Sequence, residues 1–312
     1  MRINNIRVAV FGSTGWVGSQ VSEGLERYFT VEKFPYYDLS RLRANPAFFN
    51  VIVNCAGLVG NPNVAAVQGK INELRKANVD LPQELAEIAG PAQTHLIHLS
   101  SGCLYDKYKQ GLDAQDNQIS EVDGWTEEDE PNFEGSDYVV SKRNGEEVLK
   151  NYERVTILRP RMPFNDKASD KNLLIKLAKY MKGEIVNAYN TITPMPVLLQ
   201  AIFSICEQHN DPSTFGTFNL CSMKPVPTSL LMETIAGELN LDYGVTYTHP
   251  DDFNEKQECK RSFTSICSRK AIEAGIARHP AMIDPMIDVQ HILYLMSKIP
   301  GKRVSWQNAI NS

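Results

Sequence analysis

The chain has 312 residues, 42% of them hydrophobic, with a formal net charge of −5 and six cysteines. That length suits one α/β domain with a smaller appendage, and the acidic balance offers no basic field for nucleic acid or an anionic membrane surface. The cysteines (Cys55, Cys103, Cys206, Cys221, Cys259, Cys267) show neither metal-ligand spacing nor a compact disulfide framework.

Ile6–Phe11 is a short apolar run broken only by Arg7, as a strand buried on both faces requires. It begins so early that no cleavable leader is expected ahead of it, and no run of about 18 apolar residues could span a bilayer. A reduced, cytoplasmic setting without a metal is therefore expected. The run leads into Gly12-Ser-Thr-Gly15-Trp-Val-Gly18, and Trp16, Val17, Val21, Leu25 and Tyr28 then recur at helical spacing. Strand, glycine turn and helix in that order bring helix-start N–H groups to a dinucleotide pyrophosphate. Gly12, Thr14, Gly15, Trp16, Val17 and Gly18 are candidate cofactor contacts.

Further strands are predicted over 31–36, 51–54, 94–99, 155–158 and 216–220. Asp38 stands about 20 residues past Gly18, where a carboxylate would meet a free ribose 2′-hydroxyl. A helix over 64–89 is expected to break near Pro82. The stretch 106–134 reads as a long polar loop, its acidic run Glu127–Glu130 a solvated face. Residues 136–152 form a helix carrying Tyr138 and Lys142. Positions i and i+4 share a helix face, so the Lys142 ammonium is expected beside the Tyr138 phenol. It would favour the ionised phenol and tune it for proton exchange with a carbonyl or alcohol oxygen. His98, in an apolar strand, reads as a core histidine.

Alternating strands and helices imply an α/β, doubly wound parallel sheet, a Rossmann fold, over 1–163. Helices at 172–180, 197–208, 230–239 and 285–296, with an extended stretch at 184–189, read as a smaller C-terminal substrate-binding lobe. That lobe covers 164–312, with about 190–220 returning to the sheet.

Gly12/Gly15/Gly18, Asn54-Cys55-Ala56-Gly57, Asn78-Val79, Ser100-Ser101, Tyr138/Lys142 and Arg159-Pro160 follow one another in an order that resembles the extended short-chain dehydrogenase/reductase superfamily. The resemblance implies a catalytic triad of Ser101, Tyr138 and Lys142. It also implies that Cys55, Ala56, Gly57, Asn78, Tyr138, Lys142 and Arg161 border the cofactor, with Asp38-Leu39 along the adenine. Lys33, Arg41 and Arg43 could meet a 2′-phosphate. NADPH is the implied cofactor, with NADH as the alternative.

Asn54 through Val64, Gly102-Cys103, Glu127 through Tyr138 and Arg159-Pro-Arg-Met-Pro163 resemble a narrower group. These are the nucleotide-rhamnose synthases, 3,5-epimerase/4-reductases of nucleotide-4-keto-6-deoxy-glucose; dTDP-4-dehydrorhamnose reductases are simpler relatives. The resemblance implies that Cys103 and Lys176 are the epimerase pair. It implies substrate contacts at Asn61, Asn63, Ser101, Cys103 and Asn172, with Arg261 on the substrate diphosphate. Gly102-Cys103 stands where nucleotide-sugar 4,6-dehydratases carry Asp-Glu, so dehydration is not expected. A reductase or epimerase acting on another nucleotide sugar, and a non-catalytic NADP(H)-binding regulatory subunit, stay open as alternatives. Helices within 65–89 and 136–152 are a candidate homodimer surface.

Overall fold

A computed structural model describes residues 5–35, 37–61, 63–109 and 124–312, so 110–123 of the expected loop lie outside the described residues. Its centre is a six-stranded parallel sheet in the order β2-β1-β3-β4-β5-β8. The strands are β1 (Arg7–Phe11), β2 (Thr30–Phe34), β3 (Val51–Asn54), β4 (His95–Leu99), β5 (Val155–Pro160) and β8 (Gly216–Leu220). β2 stops two residues short of the expected end because Pro35 has no N–H for the ladder.

Alternation along the strands sorts side chains to two faces. Val8, Val10, Val53, Ile97 and Leu158 meet α1 (Trp16–Leu25) and α7 (Met195–Glu207). Ala9, Phe11, Ile52, Leu96 and Ile157 meet α4 (Leu81–Ala89) and α5 (Asp137–Leu149). Each fully buried aliphatic side chain contributes about 1.5–3 kcal/mol, so both layers are held by their apolar faces. Register then aligns the strand ends: Phe11 pairs with Phe34 and Asn54, Asn54 with His98, and Leu99 with Leu158. The segments that follow all leave one rim.

The 64–89 region is not one helix broken at Pro82. It comprises a 3-10 turn at Val64–Val67, α3 (Ile71–Arg75), a π turn at Lys76–Asp80 and then α4. Pro82 sits in the first turn of α4, where a missing N–H costs little. The irregularity lies just ahead of it, where the Leu81 N–H reaches back to the Lys76 carbonyl. Within that wider turn Asn78 is fully buried. Helix α5 comes close because residue 145 is glycine: a Cβ there would lie 2.1 Å from the Asn78 carbonyl oxygen.

Beyond β5, a second core gathers Phe164 with Leu174, Met232, Ile235, Leu293 and Trp306, the last five from α6 (Leu173–Ala178), α8 (Thr228–Leu239), α11 (Met286–Lys298) and α12 (Pro300–Asn311). Helix α12 was not expected, because its sequence is mostly polar; Trp306 anchors it by burial and by donating Nε1–H to the Asp166 carbonyl at 3.0 Å. The chain does not stay in this lobe. α7 and β8 belong to the sheet, and Ala271, Ile276 and Met282 pack back onto its α7 face.

The acidic run is only partly a solvated face. Glu127 accepts the Asn219 N–H at 2.6 Å on edge strand β8, and Asp129 accepts the Thr126 N–H at 2.7 Å. An edge strand exposes N–H groups that need partners, and Glu127 supplies one. Among the described residues no helix is long and apolar enough to cross a membrane.

Gly145→Ala is expected to destabilise the fold by about 1–3 kcal/mol through overpacking against Asn78. Gly237→Ala on α8, where a Cβ meets open space, should instead be neutral or stabilising by up to about 1 kcal/mol. Urea denaturation of the two variants distinguishes these outcomes.

Candidate active site

The glycine turn sits at the rim between β1 and β3, the strands between which the chain switches direction across the sheet; such crevices are where open α/β sheets take ligands. Gly12 has φ +72°, and a Cβ on it would lie 2.6 Å from the Ala56 nitrogen. A Cβ on Gly18 would lie 2.1 Å from the Gly12 carbonyl oxygen. The turn and the Ala56 loop therefore close on each other only around glycine. No side chain caps α1 and no acidic residue stands in its first turn. Trp16 Nε1 is buried without a hydrogen-bond partner there. These features fit a dinucleotide pyrophosphate, with Thr14 and Gly15 exposed at the turn.

The adenine side is less clear-cut than the sequence suggested. Asp38 accepts both the N–H and the hydroxyl of Ser40, at 3.0 and 2.6 Å, and these bonds hold its carboxyl below the ordinary range. It thereby holds the first residue of the short helix α2 (Ser40–Ala44), while Leu39 is buried in the sheet core. Lys33, Arg41 and Arg43 are paired with Glu26, Glu32 and Glu84, each at 2.8 Å. Exposed pairs are worth about 0–1 kcal/mol, so a phosphate could displace them.

Asn78 organises the next layer. Its amide bonds both the N–H and the carbonyl of Leu58, at 2.9 and 3.0 Å, and donates to Ser141 Oγ at 2.9 Å. This fixes the Gly57 loop against α5, with Lys142 Nζ 3.1 Å from where a Gly57 Cβ would be. Tyr138 and Lys142 are both buried, and the Ser101 side chain is near enough to the Tyr138 phenol to lower its pKa. Ser101, Tyr138 and Lys142 thus converge, as expected.

Their electrostatics differ from the expectation. Lys142 donates to the Leu99 carbonyl at 2.9 Å. Burial brings its ammonium down to about 8, with Glu146 and Cys55 opposing the fall. Burial pushes the Tyr138 phenol above its ordinary range; the Cys103 sulfur adds to this and Ser101 opposes it. Loss of water around the ring is the largest influence on the phenol and acts against its ionisation. Tyr138 is therefore held as a proton donor.

Cys103 lies in a 3-10 turn (Gly102–Leu104) whose first residue must be small: a Cβ on Gly102 would lie 2.6 Å from Ile266 Cδ1. Ser101 caps that turn, accepting the Cys103 N–H at 3.2 Å. Lys176, on α6, is half-buried; burial lowers its pKa, Arg261 and Lys171 add to the fall, and Asp170 and then Cys103 oppose it. Cys103, Lys176 and Arg261, far apart in sequence, therefore share one electrostatic neighbourhood. Arg261 is exposed, with its guanidinium 5.0 Å from the centre of the Phe253 ring.

The remaining expected residues fall in varied surroundings. Asn172 is fully buried: it caps α6 through the Leu174 N–H at 3.1 Å and donates to the Asn165 and Lys167 carbonyls. Asn63 accepts the Ala65 N–H at 2.9 Å and caps a turn, while Asn61 is exposed beside it. Arg161 does not border the glycine turn; its buried guanidinium reaches Cys103 and Ser262. Cys55 is half-buried, its thiol pushed up to about 12 by burial. His98 is a core histidine, its Nδ1 3.0 Å from Asn54 Nδ2.

The sequence reading missed a buried ion pair behind the triad. Glu146, one helical turn past Lys142, receives two bonds from Arg159 Nε at 3.0 and 3.1 Å. Arg159 also donates to the Tyr105 hydroxyl at 2.7 Å. A glutamate at i+4 from the lysine was the available signal. Among the described residues no cluster could hold a metal ion.

The glycine turn and the Ser/Tyr/Lys grouping on a parallel sheet define a protein of short-chain dehydrogenase/reductase architecture. The chain belongs to the RmlD substrate-binding domain family, which matches residues 6–280. It is 29% identical over 96% of its length to a trifunctional UDP-glucose 4,6-dehydratase/UDP-4-keto-6-deoxy-D-glucose 3,5-epimerase/UDP-4-keto-L-rhamnose-reductase of Arabidopsis thaliana, spanning 43% of that protein. It is 32% identical over 61% of its length to that plant's bifunctional dTDP-4-dehydrorhamnose 3,5-epimerase/dTDP-4-dehydrorhamnose reductase, spanning 62% of it. Its fold is that of the UDP-rhamnose synthase of Acanthamoeba polyphaga mimivirus, with TM-score 0.79 and 22% identity over 93% of this chain and 99% of that one. The dTDP-4-dehydrorhamnose reductase of Bacillus anthracis, solved in complex with NADP, gives 0.71 and 16% over 94% and 98%.

Between pH 8 and 10.5 the unfolded chain holds a proton on Lys142 that the native chain lacks. The penalty of burying this ammonium is full below the lower value and relaxes as pH rises through the window. Lys142→Met should therefore gain most stability over the wild type near pH 7, with the gain shrinking towards pH 10. Denaturation of both proteins across that range checks it.

Proposed function

We propose that the chain is an NADPH-dependent nucleotide-sugar 4-ketoreductase that also epimerises C3 and C5 of a nucleotide-linked 4-keto-6-deoxyhexose, yielding a 6-deoxyhexose of the rhamnose type. The observation that carries this reading is the grouping of two proton-handling sets at one rim. Ser101, Tyr138 and Lys142 form one; Cys103 and Lys176, near enough for the sulfur to act weakly on the amine, form the other. The plant relatives named for these activities and the NADP complex of the bacterial relative support it.

NADPH, when bound, supplies the hydride for C4. The chain's own residues do the rest. Tyr138 delivers its proton to the C4 oxygen, a task suited to a phenol held protonated by burial. Ser101 donates to the same oxygen and orients it. Lys142 lies within reach of the ribose side of the cofactor crevice, beside Gly57. A C4 ketone acidifies the C3 and C5 protons, and Cys103 and Lys176 remove and return them. An amine whose pKa is lowered by burial exchanges protons more readily near neutrality.

Incubation with UDP- or dTDP-4-keto-6-deoxy-glucose and NADPH in deuterated water tests both halves. The wild type should oxidise NADPH and place deuterium at C3 and C5. Tyr138→Phe should slow ketone reduction about 100- to 10,000-fold while exchange persists. Cys103→Ala and Lys176→Met should each lose exchange while still reducing a ketone already inverted at both carbons. NADPH binding without turnover on any 4-keto sugar would remove the proposal in favour of a regulatory role.

A further inference from the structure

Arg161 has an unusual environment for a cation. It is 1% exposed. Nη1 donates to Cys103 Sγ at 3.3 Å and Ser262 Oγ at 3.1 Å; Nη2 donates to Asn190 Oδ1 at 2.6 Å and the Ser262 carbonyl at 2.9 Å. Its Nε is buried without a partner. Among the described residues no carboxylate bonds it. Asp106 is near enough to feel its charge, but gives Oδ1 to the Phe263 N–H at 2.9 Å. A guanidinium stays charged in a protein, and a buried charge needs a counter-charge or it costs several kcal/mol. Of the groups that Arg161 touches, only the Cys103 thiol can become an anion.

The backbone is shaped for this contact. Gly102 packs where a Cβ would lie 3.1 Å from Arg161 Cβ, and Ser101 holds the Cys103 N–H. Thr193 Oγ1 accepts the Arg161 N–H at 2.8 Å, fixing the arginine as it leaves β5. Ser262, next to Arg261, donates to the Tyr105 carbonyl at 2.5 Å and ties the same guanidinium to the strap that carries Arg261.

We propose that Arg161 is the positioning residue of the epimerase centre, holding Cys103 Sγ in place and serving as counter-charge to its thiolate. This deepens the epimerase reading above and rests on it. In the proton-removal step the thiolate forms an S–H bond as a C–H bond beside the ketone breaks. The electron pair moves onto the C4 oxygen, and the negative charge passes from a sulfur held by Arg161 to an oxygen held by Ser101 and Tyr138. The proton returned to the opposite face restores the ketone. Ketone reduction does not use the sulfur, so Arg161 separates the two activities.

Cys103 alkylation by iodoacetamide, followed by peptide mass, reads the thiolate without substrate. Arg161→Gln should slow it about tenfold or more near neutral pH. Exchange at C3 and C5 should fall in parallel, while reduction of the already inverted ketone falls less than about threefold. Arg161→Lys should restore part of both losses. Ser262→Ala keeps the cation and removes one competing acceptor, so its alkylation rate should match or exceed the wild type. Equal alkylation of wild type and Arg161→Gln overturns the proposal, as does slowing in Ser262→Ala as large as in Arg161→Gln. If Arg161→Gln slows alkylation but no protein exchanges deuterium, the epimerase reading fails while the Arg161–Cys103 pairing stands.

Discussion

The site depends on strand register. Phe11, Asn54 and Leu99 end their strands along one rim because parallel pairing gives each residue a fixed neighbour and the buried faces forbid a slip. A shift of one residue would turn Val8 and Val10 from one core to the other. The glycine turn, the Gly57 loop, the Ser101–Cys103 turn and the Arg159–Arg161 exit all start from that rim. Chemistry from four distant stretches meets because hydrophobic alternation sets where each strand stops.

Behind the rim, a line of buried polar groups fixes α5. Asn78 clamps the Gly57 loop to Ser141, Glu146 offsets the burial of Lys142, and Arg159 clamps Glu146 while bonding Tyr105. Tyr105 stacks on Trp125 at 5.7 Å, its hydroxyl donating towards the Thr126 and Asp129 carbonyls. Removing one partner from a buried ion pair typically costs about 3–5 kcal/mol. The Glu146–Arg159 pair therefore couples the position of the Tyr/Lys helix to the integrity of the sheet end.

Desolvation, more than charge pairing, sets the protonation states here. It holds the Tyr138 phenol protonated, lowers Lys142 and Lys176, and raises Cys55. The i, i+4 relation of Tyr138 and Lys142 was correct geometry, but the ammonium is bonded to a backbone carbonyl. Spacing on a helix says which face a side chain shares; it does not say how much water that face retains.

The sequence by itself determined the sheet and the glycine turn, because short apolar runs and positions that only glycine can fill are written in local residue order, and the i, i+4 spacing put Tyr138 and Lys142 on one helix face. It also indicated Cys103, Lys176 and Arg261, through resemblance to a family rather than through spacing. Tertiary structure alone decided the rest. Helix α12 formed because Trp306 found a core that includes Phe164 and Leu174, more than a hundred positions away. Arg161 turned from the cofactor crevice to the Cys103 sulfur, because Asn190 and Ser262, both remote in sequence, supply its other acceptors. Contacts between distant segments depend on how whole layers pack, and no local pattern encodes that.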